Sequence, residues 1–283
     1  MLFRGMFRLK VLILVLISFF LEGIGLSKDY VLDKMGTKFL SKNYSRMVSL
    51  APSLTEILVF LDLSNRIVGT TRYCNLLTQK VGGIYDPDIE RIVLLKPDLV
   101  LMLKLGSREN YDELVKRNIP VFVFDFIKLE DLITGMYDIS RLMNLEKNIY
   151  EKINSFSNQL ESLLKDARRH LKGKRIFVMY SYPDIYTASS NSFVADVIRK
   201  CGGVNVADSF PYQYQTIIIN LERLIMLKPD VVIISDPNFH LITNELSTYG
   251  LKSKFVFVEP MDLSPSLRIT NFIHNLVNSV SGM

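Results

Sequence analysis

A nine-residue stretch that occurs twice is the strongest constraint on the fold of this 283-residue chain. "LLKPDLVLM" begins at Leu94 and "MLKPDVVII" begins at Met226, so the two copies are 132 residues apart. In each copy a Lys-Pro pair ends a helix, because the residue before proline avoids the right-handed α region and proline has no N–H to donate. The aspartate favours a turn, and the apolar run after it is typical of a strand that is covered on both faces. The repeat therefore predicts two similar α/β halves, in which this stretch is a structural element.

Around both copies, short apolar segments alternate with segments of helical periodicity. The predicted strands of the first half are residues 46–50, 66–70, 98–102 and 121–126, and those of the second half are residues 175–181, 230–235 and 254–260. Alternation of strands and helices is typical of parallel βαβ units with right-handed crossovers.

A long segment between the halves has no glycine or proline and keeps helical spacing from Leu145 to Lys172. A helix of about 27 residues would be about 40 Å long at 1.5 Å per residue. Gly173 is suited to end this helix. We therefore predict an N-terminal α/β lobe over residues 26–143, a linking helix over residues 144–173 and a C-terminal α/β lobe over residues 174–283. The predicted buried face of the linking helix is Leu145, Ile149, Ile153, Phe156, Leu160, Leu163 and Ala167.

Residues 1–25 have the pattern of a secretory signal peptide. Three basic residues, the last of them Lys10, precede a predominantly apolar run from Val11 to Leu21, which is short for a membrane span. The alternative is an uncleaved anchor helix. The sequence thus predicts a periplasmic or extracytoplasmic protein, attached to the membrane if the segment is not cleaved.

Composition and charge exclude several other classes. With 48% hydrophobic and 22% charged residues the chain is neither disordered nor fibrous. Its formal net charge of +5 falls to +3 without residues 1–25, and its basic residues are dispersed, so we predict no nucleic-acid partner. Cys74 and Cys201 fall in different halves, which makes a disulfide between them unfavoured, although their redox state stays open.

Two glutamates stand at the same place upstream of the repeated stretch. Glu90 in "PDIERIVLLKPD" and Glu222 in "INLERLIMLKPD" each follow a predicted N-cap, Asp88 or Asn220. A carboxylate there stabilises the positive end of a helix by about 0.3–1 kcal/mol. That effect explains the presence of one glutamate, and the second could have been inherited through duplication of an ancestral half.

Together these segments resemble the class III periplasmic solute-binding proteins, which deliver cobalamin, haem or ferric siderophores to ABC importers. The resemblance extends over almost the whole chain after the signal segment, on "RMVSLAPSLTEILVFLDLSNRIVGTTRYC", "VGGIYDPDIERIVLLKPDLVLM", "CGGVNVA" and "NLERLIMLKPDVVII". It implies an α/β fold of two Rossmann-like lobes with parallel sheets, joined by one long backbone helix. It also implies the function of an extracytoplasmic solute-binding component of an ABC importer.

The resemblance further implies a partner, an ABC permease dimer with its cytoplasmic ATPase. In such receptors one glutamate from each lobe contacts arginines of the permease, and the matching residues here are Glu90 and Glu222. A symmetric dimer requires one such contact from each lobe.

The ligand is expected in the cleft between the lobes, at the carboxyl ends of the strands. Loops there are rich in tyrosine, and such rings cover a large flat chelate while their hydroxyls bond to its edge. The predicted ligand contacts are Arg72, Tyr73, Tyr85, Tyr182, Tyr186, Tyr212 and Tyr214.

The identity of the chelate is less constrained. "TTRYCN", with Tyr73, resembles the corresponding loop of cobalamin receptors, which favours cobalamin. However, Ile84 stands where those receptors often carry an aromatic residue, and Tyr85 follows it. Tyrosine also suits ferric haem iron, so a haem or ferric siderophore receptor is the alternative.

An enzyme or a sensor receptor on the same two-lobe fold is the alternative of another class. The sequence contains no G-x-S-x-G, Walker A, H-E-x-x-H or C-x-x-C motif, and no His, Asp or Glu cluster with ligand spacing. We therefore predict no catalytic residues, no metal held by protein side chains alone and no cofactor of its own.

Overall fold

The computed structural model of the protein describes residues 30–210 and 214–281; the predicted signal peptide lies outside these ranges. The strands are β1 (Tyr30–Leu32), β2 (Lys38–Leu40), β3 (Met47–Ser49), β4 (Ile67–Thr70), β5 (Gln79–Lys80), β6 (Leu99–Leu103), β7 (Val121–Phe124), β8 (Arg175–Met179), β9 (Ile185–Ala188), β10 (Val204–Asn205), β11 (Thr216–Ile219), β12 (Val231–Ile234) and β13 (Lys254–Phe257). The α-helices are α1 (Pro52–Phe60), α2 (Ile89–Leu94), α3 (Arg108–Lys116), α4 (Leu129–Leu142), α5 (Lys147–Leu171), α6 (Phe193–Lys200), α7 (Leu221–Leu227), α8 (Phe239–Thr248) and α9 (Ile269–Val280).

The strands form two parallel sheets, one on each side of α5 in the sequence. The first sheet has the order β5-β4-β3-β6-β7 and the second has the order β10-β8-β12-β13. The strands that follow the two Lys-Pro-Asp turns, β6 and β12, are buried along their whole length. This architecture confirms the predicted α/β fold of two lobes with parallel sheets and a long joining helix. Two antiparallel pairs, β1 with β2 and β9 with β11, are additions that the alternating pattern did not predict.

The two Lys-Pro-Asp turns make equivalent contacts. The Asp98 carboxylate accepts a hydrogen bond from the backbone N–H of Arg46 at 3.0 Å, and the Asp230 carboxylate accepts one from that of Arg175 at 2.8 Å. The guanidinium of each arginine donates to backbone carbonyls at the end of the preceding helix. Each turn therefore joins a helix end to the start of the neighbouring strand, which supports the structural interpretation of the repeat.

The lysine of each turn has left-handed backbone geometry. The φ angle is 47° at Lys96 and 44° at Lys228. Helix α2 ends two residues before Lys96, and helix α7 ends immediately before Lys228. The residue before proline thus leaves the right-handed α region as predicted, but it does so into the left-handed region, which is uncommon for a residue with a side chain.

The long helix is α5, with 25 residues, and it starts slightly later than predicted because Glu146 is extended. Gly173 follows it with a φ of 73°, which fits the predicted helix end. Leu164 is fully buried, whereas the predicted Leu163 is only partly buried. The buried face of the helix is Ile149, Ile153, Phe156, Leu160, Leu164, Ala167 and Leu171.

One hydrophobic cluster extends through both lobes. It includes Leu101 of the first sheet, Phe156 of α5, Val178 of the second sheet and Phe272 of α9. Because α5 contributes its apolar face to this shared core, it is packed against both lobes and is not a free linker. Among the described residues, no helix is long and apolar enough to cross a membrane.

Candidate functional site

Segments that follow the carboxyl ends of strands in both lobes contact each other at the junction between the lobes. Glu56 of α1 forms an ion pair with Arg268, at the start of α9, with an N–O distance of 2.6 Å. The backbone N–H of Leu129, the first residue of α4, donates to the carboxylate of Asp196 in α6 at 2.9 Å. In both contacts, each partner belongs to a segment that follows the carboxyl end of a strand. These contacts bring segments of the two lobes together at one junction.

In the N-terminal lobe, the loops after β4 and β5 are tied together. The backbone N–H of Arg72 donates to the carbonyl of Gly82 at 2.8 Å, and the Arg72 guanidinium forms an ion pair with Asp86 at 2.5 Å. Gly82 has a φ of 89°, and a Cβ there would lie 2.4 Å from the Asp86 carbonyl oxygen, so the turn requires glycine. The predicted ligand residue Arg72 thus has a partner within its own lobe.

Tyr73 and Tyr85 extend from these joined loops. The Arg72 guanidinium carbon lies 5.7 Å from the centre of the Tyr73 ring, and this ring also lies close to Gly83. The Tyr85 carbonyl accepts a hydrogen bond from the side chain of Asn110 at 3.1 Å. Both tyrosines expose more than half of their surface. The structure thus brings together three of the predicted ligand residues and leaves two aromatic rings accessible.

In the C-terminal lobe, the accessible tyrosines among the predicted ligand contacts lie on or next to the antiparallel pair β9 and β11. Tyr186 is on β9, opposite Ile218 of β11, and both side chains are exposed. Tyr214 lies just before β11, and its carbonyl accepts a hydrogen bond from the hydroxyl of Ser189. The Tyr214 side chain is 76% exposed. The predicted contact Tyr212 lies outside the described residues.

Tyr182 differs from the other predicted tyrosines. Its hydroxyl donates to the carboxylate of Glu245 in α8 at 2.5 Å, and its ring packs on the core of the C-terminal lobe. Burial, the hydrogen bond to Glu245 and the charge of that carboxylate raise the pKa of Tyr182 to about 12. This tyrosine is therefore a neutral phenol near neutral pH, and its one donor is already used.

We expect Tyr182→Phe to lower the free energy of unfolding by about 1–2 kcal/mol at pH 8, because a hydrogen bond to a charged carboxylate is lost. The folded-state pKa of about 12 lies above the ordinary value of 10.0, so this contribution is complete below pH 10 and disappears between pH 10 and pH 12. Urea unfolding at pH 8 and pH 11 measures it, with Tyr85→Phe as the exposed control. Equal unfolding free energies for Tyr182→Phe and the natural protein at pH 8 would contradict the prediction.

The two predicted docking glutamates lie in the first turns of equivalent helices. Glu90 is in α2, after the N-cap Asp88, and Arg117 donates to its carboxylate at 2.7 Å. Glu222 is in α7, after the N-cap Asn220, whose side-chain amide donates to it at 3.0 Å. Both glutamates are exposed, and both predicted N-caps are confirmed. The two carboxylates thus project into solvent from matching places in the two lobes.

Sequence reasoning missed the partners of several site residues. Asp86 holds Arg72, Glu245 holds Tyr182 and Arg117 holds Glu90. None of these pairs has a spacing that indicates contact. Within residues 30–210 and 214–281, no group of three or more His, Cys, Asp or Glu side chains is arranged to hold a metal ion.

A family model and the sequences of characterised relatives match this chain and point to the same family. The family model described as "Periplasmic binding protein" matches residues 47–255. The vitamin B12-binding protein of Yersinia pseudotuberculosis is 25% identical over 198 residues, which cover 67% of this chain and 69% of the relative.

Solved structures have the same fold. The periplasmic vitamin B12 binding protein of Vibrio cholerae matches with a TM-score of 0.72 and 21% identity, over 84% of this chain and 97% of that one. The periplasmic heme-binding protein of Roseiflexus sp. RS-1, in its apo form, matches with a TM-score of 0.73 and 17% identity, over 85% of this chain and 99% of that one.

Proposed function

This chain belongs to the periplasmic binding protein family, and we propose that its ligand is cobalamin or a similar metal chelate, bound between the lobes. Its general function is that of the extracytoplasmic solute-binding component of an ABC importer. The observation that carries the choice of ligand is the set of exposed tyrosines in both lobes, Tyr73, Tyr85, Tyr186 and Tyr214. Rings on both sides of a cleft suit a large flat ligand, because they bury its faces and bond to its edges.

The relatives support this class of ligand. One relative is named as a vitamin B12-binding protein and one solved neighbour as a heme-binding protein. Both names indicate a large tetrapyrrole-like chelate as the ligand. The loop that contains Tyr73 favours cobalamin within that class. Haem would require a tyrosinate or another axial ligand on the iron. Tyr182 is unsuited to that role because its pKa is raised to about 12 and its hydroxyl is bonded to Glu245.

The second part of the proposed function is delivery of the ligand to a permease. Residues 1–25 direct export, the lobes are residues 26–143 and 174–283, and residues 144–173 link them. Glu90 and Glu222 then contact basic residues of a permease dimer whose ATPase subunits lie in the cytoplasm. The supporting observation is that both carboxylates are exposed at matching places of the two lobes. A two-fold symmetric partner presents the same basic site twice, once for each of them.

The test is a direct binding experiment. Mature protein, residues 26–283, is mixed in turn with cyanocobalamin, haem and ferric siderophores and is then passed through a gel-filtration column. We expect cyanocobalamin absorbance to elute with the protein at about one ligand per chain. Urea-unfolded protein is the control, since no cleft remains to hold the ligand. Haem alone in the protein peak would favour the alternative receptor class, and no coloured ligand in the peak would contradict the proposal.

A further inference from the structure

Two apolar side chains are strongly exposed at equivalent places in the two lobes. Leu94, the last residue of α2, is 79% exposed, and Met226 near the end of α7 is 78% exposed. The two residues are 132 positions apart, which is the offset that also separates Glu90 from Glu222. Each apolar side chain thus follows its glutamate by four residues on the same helix.

The packing of these helices fixes which side faces solvent. Ile92 of α2 and Leu224 of α7 are completely buried, again at equivalent positions. Residues four apart on a helix are neighbours, with about 5–6 Å between their Cβ atoms. The outer face of each helix therefore presents one carboxylate and one apolar side chain side by side.

A single exposed apolar residue is ordinary on a protein surface. Here the same pair of side chains is presented twice, once by each lobe, and neither Leu94 nor Met226 contributes to the core. A partner that fits both copies must itself offer the same acceptor twice. A two-fold symmetric dimer meets that condition, and each acceptor would combine a basic group with an apolar recess.

We propose that Leu94 and Met226 are apolar anchors that insert into two recesses of the permease dimer, next to the basic groups that pair with Glu90 and Glu222. This inference rests on the docking part of the proposed function and adds the residues that hold the complex. Carboxylates on a rim mainly steer encounter and fix orientation, whereas desolvated apolar contacts mainly slow dissociation. Arg117 already pairs with Glu90 within the lobe, so the carboxylate there is only partly available to a partner.

The test compares dissociation rates from proteoliposomes that hold the permease–ATPase complex of this importer. The double variant Leu94→Gln with Met226→Gln should dissociate at least about tenfold faster than the natural protein, because each apolar contact is lost. Its association rate, the salt dependence of that rate and its affinity for cyanocobalamin should stay unchanged. Leu241→Gln is the matched control, since Leu241 in α8 is 71% exposed and lies outside both helices. Its dissociation rate should equal that of the natural protein.

The two proposals can fail separately. If Glu90→Lys with Glu222→Lys prevents binding to the proteoliposomes while the double glutamine variant dissociates at the natural rate, the anchors are wrong and the docking glutamates stand. If both double variants bind as the natural protein does, the docking surface itself is wrong.

Cross-linking gives a second readout. Cys74 and Cys201 are unpaired and buried, and burial raises the pKa of the Cys201 thiol to about 12, so an introduced surface cysteine can be labelled selectively. A benzophenone maleimide on Leu94→Cys or on Met226→Cys should cross-link to the permease, whereas one on Leu241→Cys should not. Absence of cross-links from both anchor positions would overturn the inference.

Discussion

Glu90→Lys combined with Glu222→Lys should lower cyanocobalamin uptake by at least about a hundredfold, while the affinity of the purified receptor for its ligand stays within about twofold. Each reversal replaces attraction to a basic partner by like-charge repulsion, which costs several kcal/mol at an interface. Since 1.4 kcal/mol is a factor of ten, two such sites exceed a hundredfold together. Both carboxylates are exposed, so the change costs the fold the helix-end contribution of about 0.3–1 kcal/mol each and, at Glu90, the exposed ion pair with Arg117.

A matched control for Glu90 is available in the N-terminal lobe. Glu109 is exposed in the first turn of α3, as Glu90 is in α2, but it has no counterpart at the 132-residue offset. Glu109→Lys should therefore leave uptake at the natural level. Uptake is followed with labelled cyanocobalamin in cells that make only the variant receptor, and affinity is measured by quenching of protein fluorescence. Natural uptake by the double-lysine variant, with unchanged ligand affinity, would show that these glutamates do not dock the receptor.

The fold could be predicted because its main signals are local. Proline in each repeated turn fixes where a helix stops, and the apolar runs of β6 and β12 indicate strands that are covered on both faces. The apolar steps of three and four in α5 indicate a helix without any knowledge of its partners. The pairing of β9 with β11 was missed because both strands are short and their register depends on contacts distant in sequence.

The candidate site was less predictable because its properties depend on distant neighbours. Tyr182 looked like the other cleft tyrosines, yet Glu245, 63 residues away, uses its hydroxyl. Arg72 was predicted as a ligand contact, yet Asp86 pairs with it. Leu94 has the sequence context of a core residue, and only the packing of α2 shows that it faces solvent. Residue type indicated which side chains could act, but their availability follows from tertiary contacts.

The second large effect concerns the proposed ligand site, where Tyr73→Ala combined with Tyr186→Ala should weaken cyanocobalamin binding by at least about a hundredfold. The two rings belong to different lobes and both are exposed in the free protein, so each can cover ligand surface without displacing a core contact. About half of each ring is exposed, so burying it against a ligand is worth about 0.8–1.5 kcal/mol, and a phenol hydrogen bond adds about 0.5–1.5 kcal/mol. Residues in separate lobes lose their contributions nearly additively. Two truncations therefore remove about 3–6 kcal/mol of binding free energy. Titration followed by isothermal calorimetry measures the change.

The matching phenylalanine variants distinguish the two classes of ligand. Tyr73→Phe with Tyr186→Phe keeps both ring faces, so cobalamin affinity should fall by less than about tenfold, the loss of one or two hydrogen bonds. A haem receptor that uses either phenolate as an axial ligand would instead lose its tyrosinate–iron absorption band in that variant. Tyr30→Ala is the control, because Tyr30 is 53% exposed on β1, outside the predicted ligand loops, and its loss should not change affinity. If the alanine pair bound cyanocobalamin as tightly as Tyr30→Ala does, the ligand would have to be held by other residues, and these tyrosines would be ordinary surface aromatics.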